Sequence, residues 1–374
     1  MRVVICGGGV IGACLAYYLS RRGAEAVVVE RAGVANAASG KSGGFLALDW
    51  CDRTPLAPLA RRSFALHAEL AETLKAERGA DWGYRRMDTI GVVASERRAI
   101  DQWRRCAAPD WLGDETAVHG RLVGTETTAQ VDPAAFTRAM MDAAIANGAR
   151  LIEGSVTGVA FEGRTASGVR VNRNAGGAAD LTADAVVIAM GPWSLLASQW
   201  LPLPPIHGLK GHSFVFRPAA AIPAQALFVE YEAADGETYT PEIVPRADGT
   251  IYACGVSSQS PLPIDPEDVA PDPGAHERLL AMTARIAPAL TQAAIVKTQA
   301  CFRPVTSDGL PLIGAVPGVR GAFVATGHSV WGMLNGPATG EALAGLIVEG
   351  KSGGVDLAAF DPARLEPVEA GARG

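Results

Sequence analysis

The chain has 374 residues, with 33 Lys and Arg against 39 Asp and Glu and a formal charge of −6, a balance that argues against nucleic-acid binding. Hydrophobic residues make up 48% and charged residues 19%, which excludes a chain kept unfolded by its charge, and the length suits two domains. The 43 Gly and 24 Pro point to many tight turns rather than a helical bundle.

In chain order, Arg2 to Cys6 reads as a strand, Gly7 to Gly12 as a glycine turn, Ala13 to Arg22 as a helix and Ala26 to Val29 as a second strand. The apolar stretch from Val3 to Leu19 is read as folded structure rather than a signal peptide, because its glycines are regular and Arg21 and Arg22 follow the apolar run. Ala35 to Gly44 is too poor in bulky side chains to make its own core and reads as a loop laid against something else. A helix is expected from Arg61 to Arg78, with Phe64, Leu66, Leu70 and Leu74 on its apolar side. Another starts at Pro133, where Asp132 can cap it, and stops at Asn147-Gly148. Strands follow from Arg150 to Val171 and from Ala185 to Ala189. Residues 203–300 change character, with separated strands and proline clusters, and a last helix runs from Ala338 to Glu349.

These elements predict an α/β protein of two domains. Residues 1–75, 130–200 and 300–365 are expected to form a discontinuous Rossmann-like unit. Residues 76–129 and 201–299 form a mixed antiparallel-sheet substrate unit, and 366–374 a flexible tail. Cys6, Cys14, Cys51, Cys106, Cys254 and Cys301 show no C-x-x-C pair, so neither zinc nor a disulfide framework is expected. No window approaches the roughly 20 apolar residues of a spanning helix, and a cytoplasmic location is the expectation. His67, His119, His207 and His276 lack ligand-like spacing, so no metal site is predicted.

The first motif with chemistry is Gly7, Gly9 and Gly12 between strand and helix. Gly7 permits the turn, Gly9 clears space for a pyrophosphate at the helix N-terminus, and Gly12 lets helix and strand approach. Glu30 follows eighteen residues after Gly12, where a carboxylate can accept from a ribose. A dinucleotide is therefore predicted, either NAD or FAD.

Distributed matches decide between them, for the chain resembles the D-amino-acid oxidase superfamily of FAD-dependent oxidoreductases over nearly its whole length. Gly7-Gly8-Gly9-Val10-Ile11-Gly12 with Glu30-Arg31 looks like that family's adenosine and pyrophosphate contacts. Ala38-Ser39-Gly40-Lys41-Ser42-Gly43-Gly44-Phe45 falls where the family passes a small-residue loop under the flavin. Val156 is the implied adenine contact, and the run ending Gly191-Pro192-Trp193 is similar to the second glycine signature, with Met190 a departure from it. Phe302-Arg303-Pro304, then Gly327-His328-Ser329, then Trp331-Gly332-Met333-Leu334, fall in family order. The helix they open can stabilise negative charge on a reduced flavin.

The resemblance implies oxidation of an amino acid or secondary amine by hydride transfer to the flavin, giving an imine that hydrolyses, with oxygen or an electron carrier as final acceptor. Arg303 is the implied grip on a substrate carboxylate. Glu242 stands where many relatives have tyrosine, and reads either as a pocket carboxylate for a cationic substrate or as a solvent-facing strand residue. Lys41 near the ring can favour the reduced flavin or assist oxygen, or it can face water. His212 is a second-domain candidate for the pocket, with a core role as the alternative; Trp331 is a pocket wall or core. Non-covalent FAD is expected, with a thioether through Cys301 as the alternative. A flavoprotein with a non-catalytic assembly or sorting role is the rival function.

Overall fold

A computed structural model describes residues 1–98, 100 and 109–368 of the chain. Cys106 and the part of the expected tail at 369–374 lie outside the described residues. The chain opens with β1 (Arg2–Cys6), α1 (Val10–Arg21) and β2 (Glu25–Glu30), α1 starting three residues earlier than expected. Val3 and Ile5 of β1 enter one core while Val4 and Cys6 enter another, as in a central parallel strand covered on both faces.

Next come α2 (Ala38–Lys41), β3 (Phe45–Ala47), α3 (Ala57–Arg78), β4 (Arg85–Arg86), β5 (Asp88–Ser95), β6 (Thr116–Val123) and β7 (Thr128–Gln130). The loop expected at 35–44 thus contains one helical turn. α4 (Pro133–Ala146) is capped by Asp132, whose carboxylate accepts from Ala135 N at 2.7 Å. β8 (Arg150–Glu162), β9 (Thr165–Arg173), β10 (Ala178–Thr182) and β11 (Ala185–Ile188) follow. Then come β12 (His207–Arg217), β13 (Gln225–Glu232), β14 (Thr238–Tyr239), β15 (Glu242–Pro245) and β16 (Ile251–Ser258). The described chain is completed by α5 (Ala275–Ile286), β17 (Ala294–Val305), β18 (Leu312–Ala315), β19 (Ala322–Thr326) and α6 (Gly332–Glu349).

One sheet has the order β10-β9-β8-β2-β1-β11-β19-β18, parallel from β8 to β19 and antiparallel at both ends. A second has the order β17-β12-β16-β15-β13-β5-β6, with β14 on β13, and is antiparallel except where β13 pairs β5. A small third sheet, β3-β7-β4, lies between them in sequence. β17 pairs with β12 along its whole length, so the second sheet extends past residue 300 to Val305. β4 and β7, from the stretch expected in the substrate unit, join β3 in the third sheet rather than the second.

α6 carries a proline inside it, and its repair explains a histidine that the sequence left without a role. Pro337 has no N–H to give the Met333 carbonyl, and the next amide, Ala338 N, donates to Ser63 Oγ at 3.1 Å. His67, one turn after Ser63 on α3, is fully buried and its Nε2 lies 3.0 Å from the Met333 carbonyl and 3.2 Å from that of Leu334. Both partners are acceptors, so Nε2 carries the proton. α3 therefore satisfies the break in α6 and holds the start of that helix in place. Among the described residues no helix is long and apolar enough to cross a membrane.

Replacing His67 by Phe keeps a ring in place but leaves two buried carbonyls without a donor; denaturant titration at neutral pH should show a loss of about 2–4 kcal/mol. Burial also drives the His67 imidazole down to about 4 from 6.5. Below about pH 6.5 the unfolded chain binds a proton there that the folded chain refuses, so stability falls as pH falls from that value to about 4. The His67→Phe variant should lose this part of the acid-side slope.

Candidate active site

The site begins at the turn between β1 and α1. A Cβ on Gly12 would lie 2.0 Å from the Gly7 carbonyl oxygen, so only glycine lets α1 start this close to the strand. Gly7 adopts φ 115° and lies against Ala189 at the end of β11. Gly9 caps α1 with no side chain, and Gly7, Gly9, Val10 and Ile11 face a deep cleft. The cleft holds about 1700 Å³ of space not filled by atoms, its open mouth included.

Glu30 reaches the cleft from the end of β2. Its carboxylate accepts from Gly8 N at 2.7 Å and from Ala32 N at 2.8 Å, which fixes its direction and leaves lone pairs for a ribose. Ser39 Oγ accepts from Val10 N at 2.9 Å, tying α2 to the start of α1. Ala38, Ser39, Ser42 and Gly43 form one wall, and Val156 forms another beside Gly154 and Ser155. Gly191 and Trp193 contribute from the segment after β11. From the start of α6 come His328, Ser329, Gly332 and Met333. Ser329 holds φ 50°, a strained value for a residue with a side chain, in the turn that leads into α6.

The residues fit the dinucleotide that the glycine turn predicts. The N-termini of two long helices, α1 and α6, open on one cleft; Ser39 Oγ takes only Val10 N, neither cap residue has a side-chain cap, and the positive ends of both helix dipoles face negative charge there. Two buried polar atoms facing this region, Ser42 Oγ and His328 Nδ1, have no partner in the protein. His328 Nε2 sits 3.1 Å from Thr339 Oγ1, and burial pushes this imidazole down to about 3, so it stays neutral.

Several predicted contacts are placed differently. Arg31 does line the cleft, beside Glu30, but its guanidinium is engaged with the loop after β16, where it donates to the Ile264 carbonyl at 3.0 Å and pairs with Asp265, tying the two sheets together. Gly12 lies under α1 rather than in the cleft wall. Gly44 fits against the Val131 carbonyl, where a Cβ would come within 1.9 Å, and Phe45 packs on Trp50 and Phe228. Gly327 is held against Thr306, Trp331 packs against Trp50, and Leu334 is fully buried in the core. Lys41 does not line the cleft; its Nζ donates to the Ala300 carbonyl at 3.3 Å.

His212 is a correction. Its ring is fully buried on the far side of β12, where Nε2 accepts from Asp272 N at 3.0 Å and Nδ1 donates to the Val256 carbonyl at 3.2 Å. With Lys210, Ser258 and Ser260 it anchors the Asp272 loop, and its neighbour Gly211 meets the cleft instead.

The second sheet forms the remaining chamber. Arg303 on β17 lies over Gly211, where a Cβ would come within 3.3 Å of the guanidinium, and donates to Ser257 Oγ at 3.2 Å. Glu242 on β15 is paired across the hairpin with Cys254 on β16, and both face the chamber. Burial pushes the Glu242 carboxyl up, opposed by the Arg303 charge. Burial also raises the thiol of Cys301, although Arg303 and Lys41 pull it back. Tyr252, not singled out from the sequence, lines the same chamber and touches Gly43 edge-on. Period-two alternation along the hairpin from Glu242 through Cys254 was the signal that placed it. Arg246, at the turn of that hairpin, donates to the Ser42 carbonyl at 2.8 Å and binds the small-residue loop to the second sheet.

The chain is similar to known proteins over almost all of its length. It is 31% identical to the glycine oxidase of Geobacillus kaustophilus, covering 97% of this chain and 96% of that protein. It is 28% identical to the glycine oxidase of Pseudomonas aeruginosa, covering 97% and 98%. Among solved structures, the Geobacillus kaustophilus glycine oxidase matches with a TM-score of 0.79 at 28% identity, over 97% of this chain and 99% of that one. An iminodiacetate oxidase from a Chelativorans species shares the fold, with a TM-score of 0.77 at 22% identity over 96% and 99%. The model of the DAO family, described as FAD dependent oxidoreductases, matches residues 2–346, and with the two helix starts and the glycine turn meeting on one cleft, the chain belongs to that family.

Proposed function

We propose that the protein oxidises the C–N bond of a carboxylate-bearing amine, an amino acid or an N-substituted one, to an imine that water hydrolyses. The observation that carries this reading is the continuity of the cleft, which runs from the glycine turn to the chamber holding Arg303. FAD bound there would supply the two-electron acceptor for hydride transfer, with oxygen or an electron carrier removing the electrons. Gly9 and the first amides of α1 would hold its pyrophosphate, Glu30 its ribose, Val156 the adenine and the start of α6 the pyrimidine end of the ring.

The chain's own task is orientation. The Arg303 guanidinium offers two parallel charge-assisted bonds to a carboxylate, which fixes one end of the substrate and the direction of its Cα–H. Tyr252, Cys254 and the Gly43 backbone narrow the chamber and exclude water from the reacting carbon. Non-covalent attachment is the reading for Cys301, because burial holds its sulfur as the thiol and a thioether needs the thiolate.

Anaerobic mixing of the purified yellow protein with a panel of amines and amino acids, following loss of the flavin's visible absorbance, should reveal reduction by carboxylate-bearing members. A protein that retains FAD but is bleached by none of them would support the non-catalytic rival. For a substrate so found, Arg303→Ala should lower kcat/KM by about 30-fold or more, since truncating one partner of a buried charge pair costs about 2–5 kcal/mol. An unchanged value would remove Arg303 from substrate binding. Acid precipitation should release the yellow colour to the supernatant; colour retained in the pellet would establish the covalent link.

A further inference from the structure

Two charged side chains of opposite sign, each only partly exposed, face the chamber without forming an ion pair with each other. Among the described residues neither forms an ion pair: Arg303 is bonded to the Ser257 hydroxyl, and Glu242 accepts only from the Cys254 thiol, at 3.9 Å. Both line the cleft. Their strands, β17 and β15, stand three steps apart in the sheet, about 14 Å between backbones at roughly 4.8 Å per step. The Arg303 side chain crosses β12 to reach Ser257 on β16, the neighbour of β15, so the two heads meet one ligand from adjacent strands.

A buried carboxylate is costly unless a cation or several donors meet it. Arg303 is the cation that faces Glu242. Lys41 acts on Cys301 and gives its ammonium to the Ala300 carbonyl, and Arg246, over the Tyr252 ring, is engaged with the Ser42 carbonyl. Once a substrate carboxylate engages Arg303, Glu242 is left facing an occupied, neutralised guanidinium. The reacting nitrogen cannot restore the balance, because an amine gives up hydride from Cα only when its lone pair is free, that is, when it is uncharged. A simple amino acid in that form would leave Glu242 either an unmatched negative charge or a protonated acid, its carboxyl being pushed up by burial, whereas a second cation on the substrate meets it as the carboxylate.

We propose that the substrate is an amino acid carrying a second, non-reacting cationic group, which Glu242 binds while Arg303 binds the carboxylate. This rests on the amine-oxidation reading given above and narrows it to a substrate class. Glu242 is then a specificity-determining residue, and the apolar rim of Tyr252 and Cys254 contacts the chain between the two charges.

Chain-matched pairs test the idea in the holoenzyme: lysine against norleucine and ornithine against norvaline, each as both enantiomers, by anaerobic bleaching of the flavin. The wild-type protein should be reduced at least about tenfold more efficiently by the cationic member of a pair, as an ion pair in a desolvated site requires. In Glu242→Gln, which keeps shape and hydrogen bonding, that ratio should fall toward one, and Glu242→Asp should partly restore it. Retained yellow colour and an unchanged visible spectrum show that each variant is folded. A wild-type ratio at or below one overturns the proposal, as does a ratio that survives Glu242→Gln. If both members of a pair are oxidised equally, the amine-oxidation reading stands and only the substrate class fails. If no amino acid or amine bleaches the wild type, both fall.

Discussion

The close approach of α1 to its neighbours is the constraint on which the rest of this molecule depends. At its first turn Gly12 sits on the Gly7 carbonyl, and on its other face Gly340 of α6 meets the Cys14 and Leu15 backbone, where a Cβ would come within 2.7 Å. These contacts are between backbones, so no side-chain rearrangement can relieve an added methyl group there. Because α1 and α6 are pressed together, both helices start at one cleft and their N-terminal dipoles act on one ligand. The break at Pro337 threatens this arrangement, and Ser63 and His67 of α3 remove the threat by taking the hydrogen bonds the proline abolishes.

A second theme is that charge in the cleft is held by the sheet opposite. Arg31, on the cleft wall beside Glu30, pairs with Asp265, Arg246 crosses to the Ser42 carbonyl, and Trp193 Nε1 donates to the Pro263 carbonyl at 2.8 Å. Polar ties of this kind join the two sheets at the rim of the cleft. They also explain why the small-residue loop at 38–44 needs no core of its own: it lies between α1, through Ser39, and the second sheet, through Gly43 and Arg246.

Much of the fold was legible without coordinates. The strand, turn, helix and strand at the start and the Asp132 cap with Pro133 each depend on neighbours in sequence, so local patterning was enough. The limits of the second sheet were not legible. β17 is continuous to Val305 because β12 pairs with it throughout, and pairing partners ninety residues apart leave no local mark.

The sequence by itself determined where backbone must come close, since glycine at 7, 9 and 12 and the acid at 30 carry that requirement in their residue types. It also placed Arg303 and Glu242 as candidates of interest. Only the tertiary structure decided which way those side chains turn: Glu242 into the chamber, His212 away from it, Arg31 along the cleft wall to Asp265, Lys41 onto a carbonyl. Direction is set by what stands opposite in space. For a polar side chain the identity of that partner, rather than its own chemistry, separates a structural tie from a ligand contact.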